Sequence, residues 1–415
     1  MNFNLTHILS IKRRNILTIR KQTLATQLYI FGLLIAFVSS LHPWFLWSIT
    51  NVYMVIASVF IIAAMFISAN SKQRIFTNKG FILPTIISAC MLFDERLSME
   101  TSASGFIAAG FNSFIFFTLF KVNPSVISKF SNVMARVMGT FLIFSLAAYF
   151  LNFIGISVDL GELVYGDFQY ILTNHGLFVS NDYNYLSNFF PRFQSVCLEP
   201  SHLGTMLVLL LQTQRGKWKA WYNVVMLVSV AFSFSLGAYG YLVAVIFLNL
   251  WTNRKKIFMK VVAVIIVIAS VVVGSFFYNN GDNLVYNLIL LRLEVDDGEL
   301  SGNNRTTEDF DKEFESFLSS DNIWIGRELK DDQGNSGYKV YLYRNGILGV
   351  TIFMLFLIIT LSRGKDRRAI LSSVIVALLV FVVDGFVSWY CRYISLYDSS
   401  LREGHTKSLP NHKEE

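Results

Sequence analysis

Charged side chains are scarce: Asp, Glu, Lys and Arg make up 15% of the 415 residues, where an ordinary soluble domain carries roughly a quarter. Hydrophobic residues instead reach 53%, which excludes an ordinary soluble domain and requires an integral membrane protein. Cysteine is nearly missing. Cys90, Cys197 and Cys391 are odd in number and scattered, which excludes a disulfide framework and any thiolate metal site of standard spacing. The 6 histidines contain no H-x-x-x-H pair. No period of 20–50 residues recurs, so a solenoid is excluded. The first apolar run has a basic flank but no small-residue cleavage site behind it, and it reads as a retained anchor rather than a signal peptide.

What the chain does have is a succession of apolar runs, several of them near the length of ~20 residues that crosses a bilayer. They lie near 24–41, 45–68, 80–94, 105–121, 134–155, 200–214, 221–235, 237–252, 257–277, 342–362 and 369–390. Basic clusters follow every second run: Lys72, Arg74 and Lys79; Lys121, Lys129 and Arg136; Arg215, Lys217 and Lys219; Arg254, Lys255 and Lys256; Arg363, Lys365, Arg367 and Arg368. The intervening connections are neutral or acidic. By the positive-inside rule this alternation fixes the order of the runs and puts both long loops on the outer face. The expected fold is an all-α polytopic membrane protein with about eleven (ten to twelve) spans and two long outer loops. Its divisions are a basic interfacial N-terminus at 1–23, five spans within 24–155, a loop at 156–199, four spans within 200–277, an acidic loop at 278–338, two spans within 339–397 and a polar tail at 398–415. Asp384 interrupts the last run and is either a functional intramembrane acid or the partner of Arg392.

The net charge of +7 is unevenly spread: residues 278–338 hold 14 acidic and 5 basic side chains, a local −9 that leaves +16 on the rest of the chain. That excess sits in short connections, as membrane orientation demands, and does not point to nucleic acid. A connection of this length is functional or disordered. This one shows order, because Thr306-x-x-Asp309 reads as a capping box ahead of Phe310, Phe314 and Phe317 at helical spacing. Arg305 stands just before that helix, where an anion is favoured, or where it pairs with a neighbouring acid. Arg327, Lys339 and Arg344 follow as the chain returns to the membrane. Basic residues at an outer end run against the positive-inside trend, which points to an anionic ligand.

The sharpest stretch is Pro191–Gly204, Pro-Arg-Phe-Gln-Ser-Val-Cys-Leu-Glu-Pro-Ser-His-Leu-Gly. Arg192 is the only Lys or Arg between Arg136 and Arg215. Pro200 marks a helix start, and Glu199 and His202, three apart, share a face of that helix. A cation, a carboxylate and an imidazole thus gather where a loop meets a span, a costly place for charge. A structural reading stands beside this one: Glu199 suits the positive end of a helix dipole, and Arg192 suits a headgroup anchor.

Three segments together resemble the Wzy-type O-antigen and capsular repeat-unit polymerases. They are Arg192–Gly204, with an Arg and then Glu-Pro before a span; the small-residue stretch Ser233–Tyr241; and Asn304–Thr306 through Gly326-Arg327 to Gly334–Gly349. The resemblance implies a GT-C-like, inverting glycosyltransferase of the bacterial inner membrane. It would extend O-antigen, capsule or exopolysaccharide by joining undecaprenyl-diphosphate-linked repeat units on the periplasmic face. It implies no cofactor and no metal, and it implies a flippase and a chain-length regulator as partners. Within it, Arg192 and Arg305 meet the leaving diphosphate, Arg327, Lys339 and Arg344 bind diphosphate, and Glu199 or His202 handles the proton of the attacking hydroxyl. Tyr165, Phe168, Tyr170, Tyr183 and Tyr185 stack on sugar or belong to an interfacial belt. The related O-antigen ligases carry a His where Asn335–Lys339 has none, which weighs against a ligase. A lipid-linked oligosaccharide flippase is the non-enzyme alternative, disfavoured by the long ordered loop.

Overall fold

Among the described residues the apolar runs fold as helices, as backbone groups must when water is absent. The computed structural model describes residues 5–41, 43–47, 52–71, 74–77, 103–165, 170–181, 191–252, 257–281, 307–327, 337–363 and 367–384, with scattered positions between 82 and 89 and between 283 and 300. In chain order the long helices are α1 (Leu5–Ser40), α2 (Val52–Ala69), α3 (Ala103–Lys121), α4 (Pro124–Phe153), α5 (Pro200–Gln214), α6 (Trp221–Phe232), α7 (Leu236–Thr252), α8 (Ile257–Phe277), α9 (Glu308–Leu318), α10 (Tyr338–Arg363) and α11 (Arg367–Asp384). The run expected at 80–94 lies mostly outside the described residues, as do Arg305, the tail and the side chains of Asp384 and Arg392. The N-terminal basic segment and the first apolar run form one continuous helix of 36 residues.

This is a helical membrane protein. Among the described residues Arg20–Ser40, Val52–Ala69 and Ser125–Phe153 are long and apolar enough to cross a bilayer, and shorter apolar helices accompany them. Val55, Val59, Ile62 and Phe66 form an exposed stripe along α2 at helical spacing. Such a stripe suits lipid and would be a liability in water.

Helix α5 sits deep in the fold. This 15-residue helix, about 22 Å long by its rise, buries all but three of its residues. It packs against α4, α6, α7 and α11, while α10 and α11 pair with one another. Its far end is fixed by polar bonds, Gln212 Nε2 to Ser372 Oγ at 3.0 Å and Gln214 Nε2 to the Ser131 carbonyl at 3.2 Å.

The 156–199 segment departs from the all-helical expectation. Strands β1 (Glu162–Tyr165), β2 (Tyr170–Asn174) and β3 (Val179–Ser180) form an antiparallel sheet in that order. His175 ties its turn down: the ring stacks on Phe178 at 4.4 Å, Nδ1–H donates to the Val158 carbonyl, and Nε2 bonds Ser180 Oγ.

In the acidic loop, α9 forms where the periodicity of the phenylalanines places it. Its cap is Thr307, one residue beyond the expected Thr306, with its side chain accepting from the Phe310 N–H at 3.2 Å. Phe310, Phe314 and Phe317 pack on Val340 and Tyr343 of α10 as a second, smaller core. The α10 helix breaks at Gly346, whose φ of 62° and ψ of −173° suit glycine alone. There the 324–327 backbone lies directly on the 343–346 backbone. A Cβ on Gly326 would fall on the Arg344 carbonyl, and one on Gly346 on the Trp324 carbonyl. The Arg327 N–H donates to the Tyr343 carbonyl at 2.7 Å across this crossing.

Candidate functional site

Residues 191–200 form a buried loop, and a buried loop needs partners for its backbone. Each comes from a different part of the fold. Tyr149 Oη of α4 donates to the Pro191 carbonyl at 2.6 Å. The Phe193 N–H donates to the Phe232 carbonyl at the end of α6, the Val179 N–H of β3 to the Ser195 carbonyl, and the Trp44 N–H to the Val196 carbonyl. Ser195 sits in the left-handed region at φ 53°, and its hydroxyl accepts from Ser145 Oγ at 2.9 Å. A non-glycine residue in that region stores strain, which persists only where surrounding bonds over-determine it. Phe193 and Cys197 fill the core beneath, and burial pushes the Cys197 thiol up to about 12.

Out of this fixed loop come the charged side chains. Arg192 is half-buried and its Nε donates to the Ser233 carbonyl at 3.1 Å. Ser233 ends α6 at a sharp turn completed by Phe234, itself left-handed at φ 45°. The charge of Arg192 also reaches the Tyr239 phenol on α7. Glu199 is the N-cap residue of α5 with extended backbone, but its side chain does not cap the helix. Its Oε2 instead accepts from Ser201 Oγ at 2.8 Å, with His202 Nε2 4.0 Å from the same oxygen. That second separation is beyond hydrogen-bond reach.

One turn into α5, Gly204 makes the junction possible. A Cβ there would stand 2.5 Å from Ala238 Cβ and 3.3 Å from Ser233 Oγ. The start of α5 therefore seats directly on the α6–α7 turn that holds Arg192. The first two of the three segments singled out in the sequence, 192–204 and 233–241, are one structural unit.

The basic residues of the third segment are placed otherwise. Lys339 Nζ pairs with Asp311 Oδ1 at 2.8 Å and lies over the Phe314 ring. The Arg327 guanidinium lies over Phe317, and the Tyr343 Oη donates to Glu313 Oε1 at 2.6 Å. Both residues fasten α9 to α10, and Arg344 is exposed beside the break in α10. Tyr165 packs against Trp47 with ring centroids 4.8 Å apart and the planes tilted by 55°. Phe168, Tyr183 and Tyr185 lie outside the described residues, and of Tyr170 the backbone alone is described.

The sequence reading passed over Ser201, Ser233 as the partner of Arg192, and Tyr239. Ser201 had a local signal, a hydroxyl two residues beyond the carboxylate at a helix start. The carbonyl of Ser233 had none, because a backbone acceptor 41 residues away leaves no mark in composition. Chemically, the unit offers a planar cation and a carboxylate fixed by a hydroxyl, each about one-third or less exposed, above a buried helix. Among the described residues no group of three His, Cys, Asp or Glu side chains is suited to a metal. Compared with protein-family models, curated proteins and solved structures, the chain matches none of them.

Proposed function

We propose that this protein is a metal-independent membrane glycosyltransferase. It joins undecaprenyl-diphosphate-linked oligosaccharide units on the periplasmic face of the bacterial inner membrane, building O-antigen, capsule or exopolysaccharide. The observation that carries the reading is the joint between Arg192–Gly204 and Ser233–Tyr241, which fixes a guanidinium and a carboxylate on one rigid support. About eleven spans of GT-C-like arrangement belong to the same proposal, as do a flippase and a chain-length regulator as partners.

In the proposed reaction a sugar hydroxyl of the acceptor unit attacks the anomeric carbon of the donor glycan from the face opposite its diphosphate. Glu199 takes the hydroxyl proton as the new C–O bond forms. The old bond between the anomeric carbon and the diphosphate oxygen breaks, its electron pair leaving with the lipid diphosphate and the configuration inverting. Arg192 meets the charge that develops on the leaving oxygen. A planar, permanently charged fork suits phosphate, and a cation already held in place needs no reorganisation as the bond breaks. Arg305 is the proposed second cation, and Arg327, Lys339 and Arg344 the proposed outer diphosphate contacts. His202 remains the alternative proton acceptor, set behind Glu199 because a histidine one turn into a helix is more often a hydrogen-bonded packing residue.

The test is transfer by purified protein in detergent, given lipid-linked repeat units alone. The wild type is expected to produce a ladder of lengthened glycans, and Arg192→Ala only single units with the protein still folded in the membrane fraction. Transfer to a lipid A core instead of to repeat units would overturn the polymerase assignment. A full ladder from Arg192→Ala would overturn the role given to Arg192.

A further inference from the structure

We infer that Ser201 is a positioning residue for the Glu199 base, an assignment that rests on the glycosyltransferase reading above. A glutamate side chain has several rotatable bonds, and freezing it costs entropy unless a partner holds it. As N-cap residue of α5, Glu199 has backbone N–H donors close at hand, yet its side chain takes none of them as a cap. It turns instead to Ser201 Oγ, which donates to Oε2 at 2.8 Å. Serine has one hydroxyl proton, so this bond commits it. His202 Nε2, 4.0 Å from the same oxygen, does not set the carboxylate by hydrogen bonding.

Ser201 can hold the carboxylate because its own backbone is held. Pro200 fixes φ ahead of it. The Leu203 N–H donates to the Glu199 carbonyl at 3.3 Å and closes the first turn. Gly204 then clamps that turn against Ala238 and Ser233. The Arg192 carbonyl partner and the Glu199 carboxylate are thus connected through Ser233, Gly204 and Ser201. Reacting groups gain most when such support lies on rigid elements, and displacement of about 1 Å costs on the order of 100-fold in rate.

Thr and Val have nearly the same shape and differ by one hydroxyl, so Ser201→Thr and Ser201→Val form the decisive pair. With both proteins melting within a few degrees of each other, Ser201→Thr is expected to keep kcat within a few-fold of wild type. Ser201→Val is expected to lose about 10- to 100-fold in kcat with KM for the lipid-linked unit nearly unchanged. Equal kcat for the two variants would overturn the inference, as would a loss confined to KM. Glu199→Gln, assayed alongside, separates the two levels. If it retains wild-type transfer, the base assignment falls and takes the Ser201 role with it. If it is inactive while Thr and Val behave alike, the reaction stands and only Ser201 is misassigned. Should wild-type protein transfer nothing to lipid-linked units, both are overturned. Should Ser201→Val fail to fold, Ser201→Ala in the same assay supplies the comparison, since it removes the hydroxyl without adding bulk.

Discussion

Arg192 donates its Nε–H to the Ser233 carbonyl, a bond that helps orient the guanidinium. A lysine there would keep the charge but neither the plane nor the fork. Arg192→Lys is therefore expected to leave a small fraction of transfer, about one-tenth or less, measured as ladder intensity against wild type at matched protein. Two residues further on, Gln194 is 2% exposed and its Nε2 has no hydrogen-bond partner. A buried unmade donor costs about 1–3 kcal/mol. Gln194→Met, of similar length and apolar, should raise the melting temperature; a fall would mean that the amide makes a bond in the membrane-embedded protein. Cys197 supplies a pH signature. Its thiol is raised to about 12 by burial, so the unfolded chain loses its proton first as pH rises. The folded state keeps its full stability below the ordinary thiol range near 8.5 and loses it progressively up to about 12. Cys197→Ala should show a shallower fall in melting temperature than wild type across that alkaline window.

Helix α5 is held at both ends, and its register on α7 depends on a missing side chain. Gly204→Ala would drive a methyl to 2.5 Å from Ala238 Cβ, an overpacking that costs about 1–3 kcal/mol. Because the contact is mutual, Ala238→Gly in the same chain should restore much of the lost stability and of the transfer activity, a coupling that a double-mutant cycle measures. The strap formed by α9 and residues 321–327 depends on a comparable joint. Gly346→Ala would place a Cβ on the Trp324 carbonyl at a backbone angle that only glycine adopts with ease. Hydrogen exchange across 307–327 should then quicken, with the Arg327 N–H among the first to lose protection, while α5 and α7 stay protected. This strap was largely legible in the sequence. The phenylalanine spacing and a threonine cap are local signals, and the error of one residue at the cap came from two adjacent threonines. What they pack against was not legible, because Val340 and Tyr343 lie on another helix, α10, and nothing local names a partner.

At the scale of the whole molecule, the helices among the described residues fall where hydropathy puts them, because a membrane helix satisfies its backbone internally and needs no distant partner to exist. The buried 191–200 loop escaped the sequence reading for the opposite reason. Its backbone groups are satisfied by Trp44, Val179 and Phe232, none adjacent in sequence to the groups they serve. The proposed orientation has a direct check at this level. In a chain whose other cysteines are replaced, Glu162→Cys and Asp321→Cys should react with a membrane-impermeant maleimide in intact spheroplasts. Lys219→Cys should react only after permeabilisation.

The loop that carries Arg192 also constrains how the protein comes together. Its bonds reach from Trp44 near one end of the chain to Ser233 past the middle, so it closes only after helices made early in synthesis meet helices made later. On the proposed reading, transfer competence should therefore appear only after Ser233 has been made, and a nascent chain halted before it would be inserted but inert. Two fragments divided between α5 and α6 should regain transfer when co-expressed, since the contacts that complete the loop are made between helices rather than along the chain.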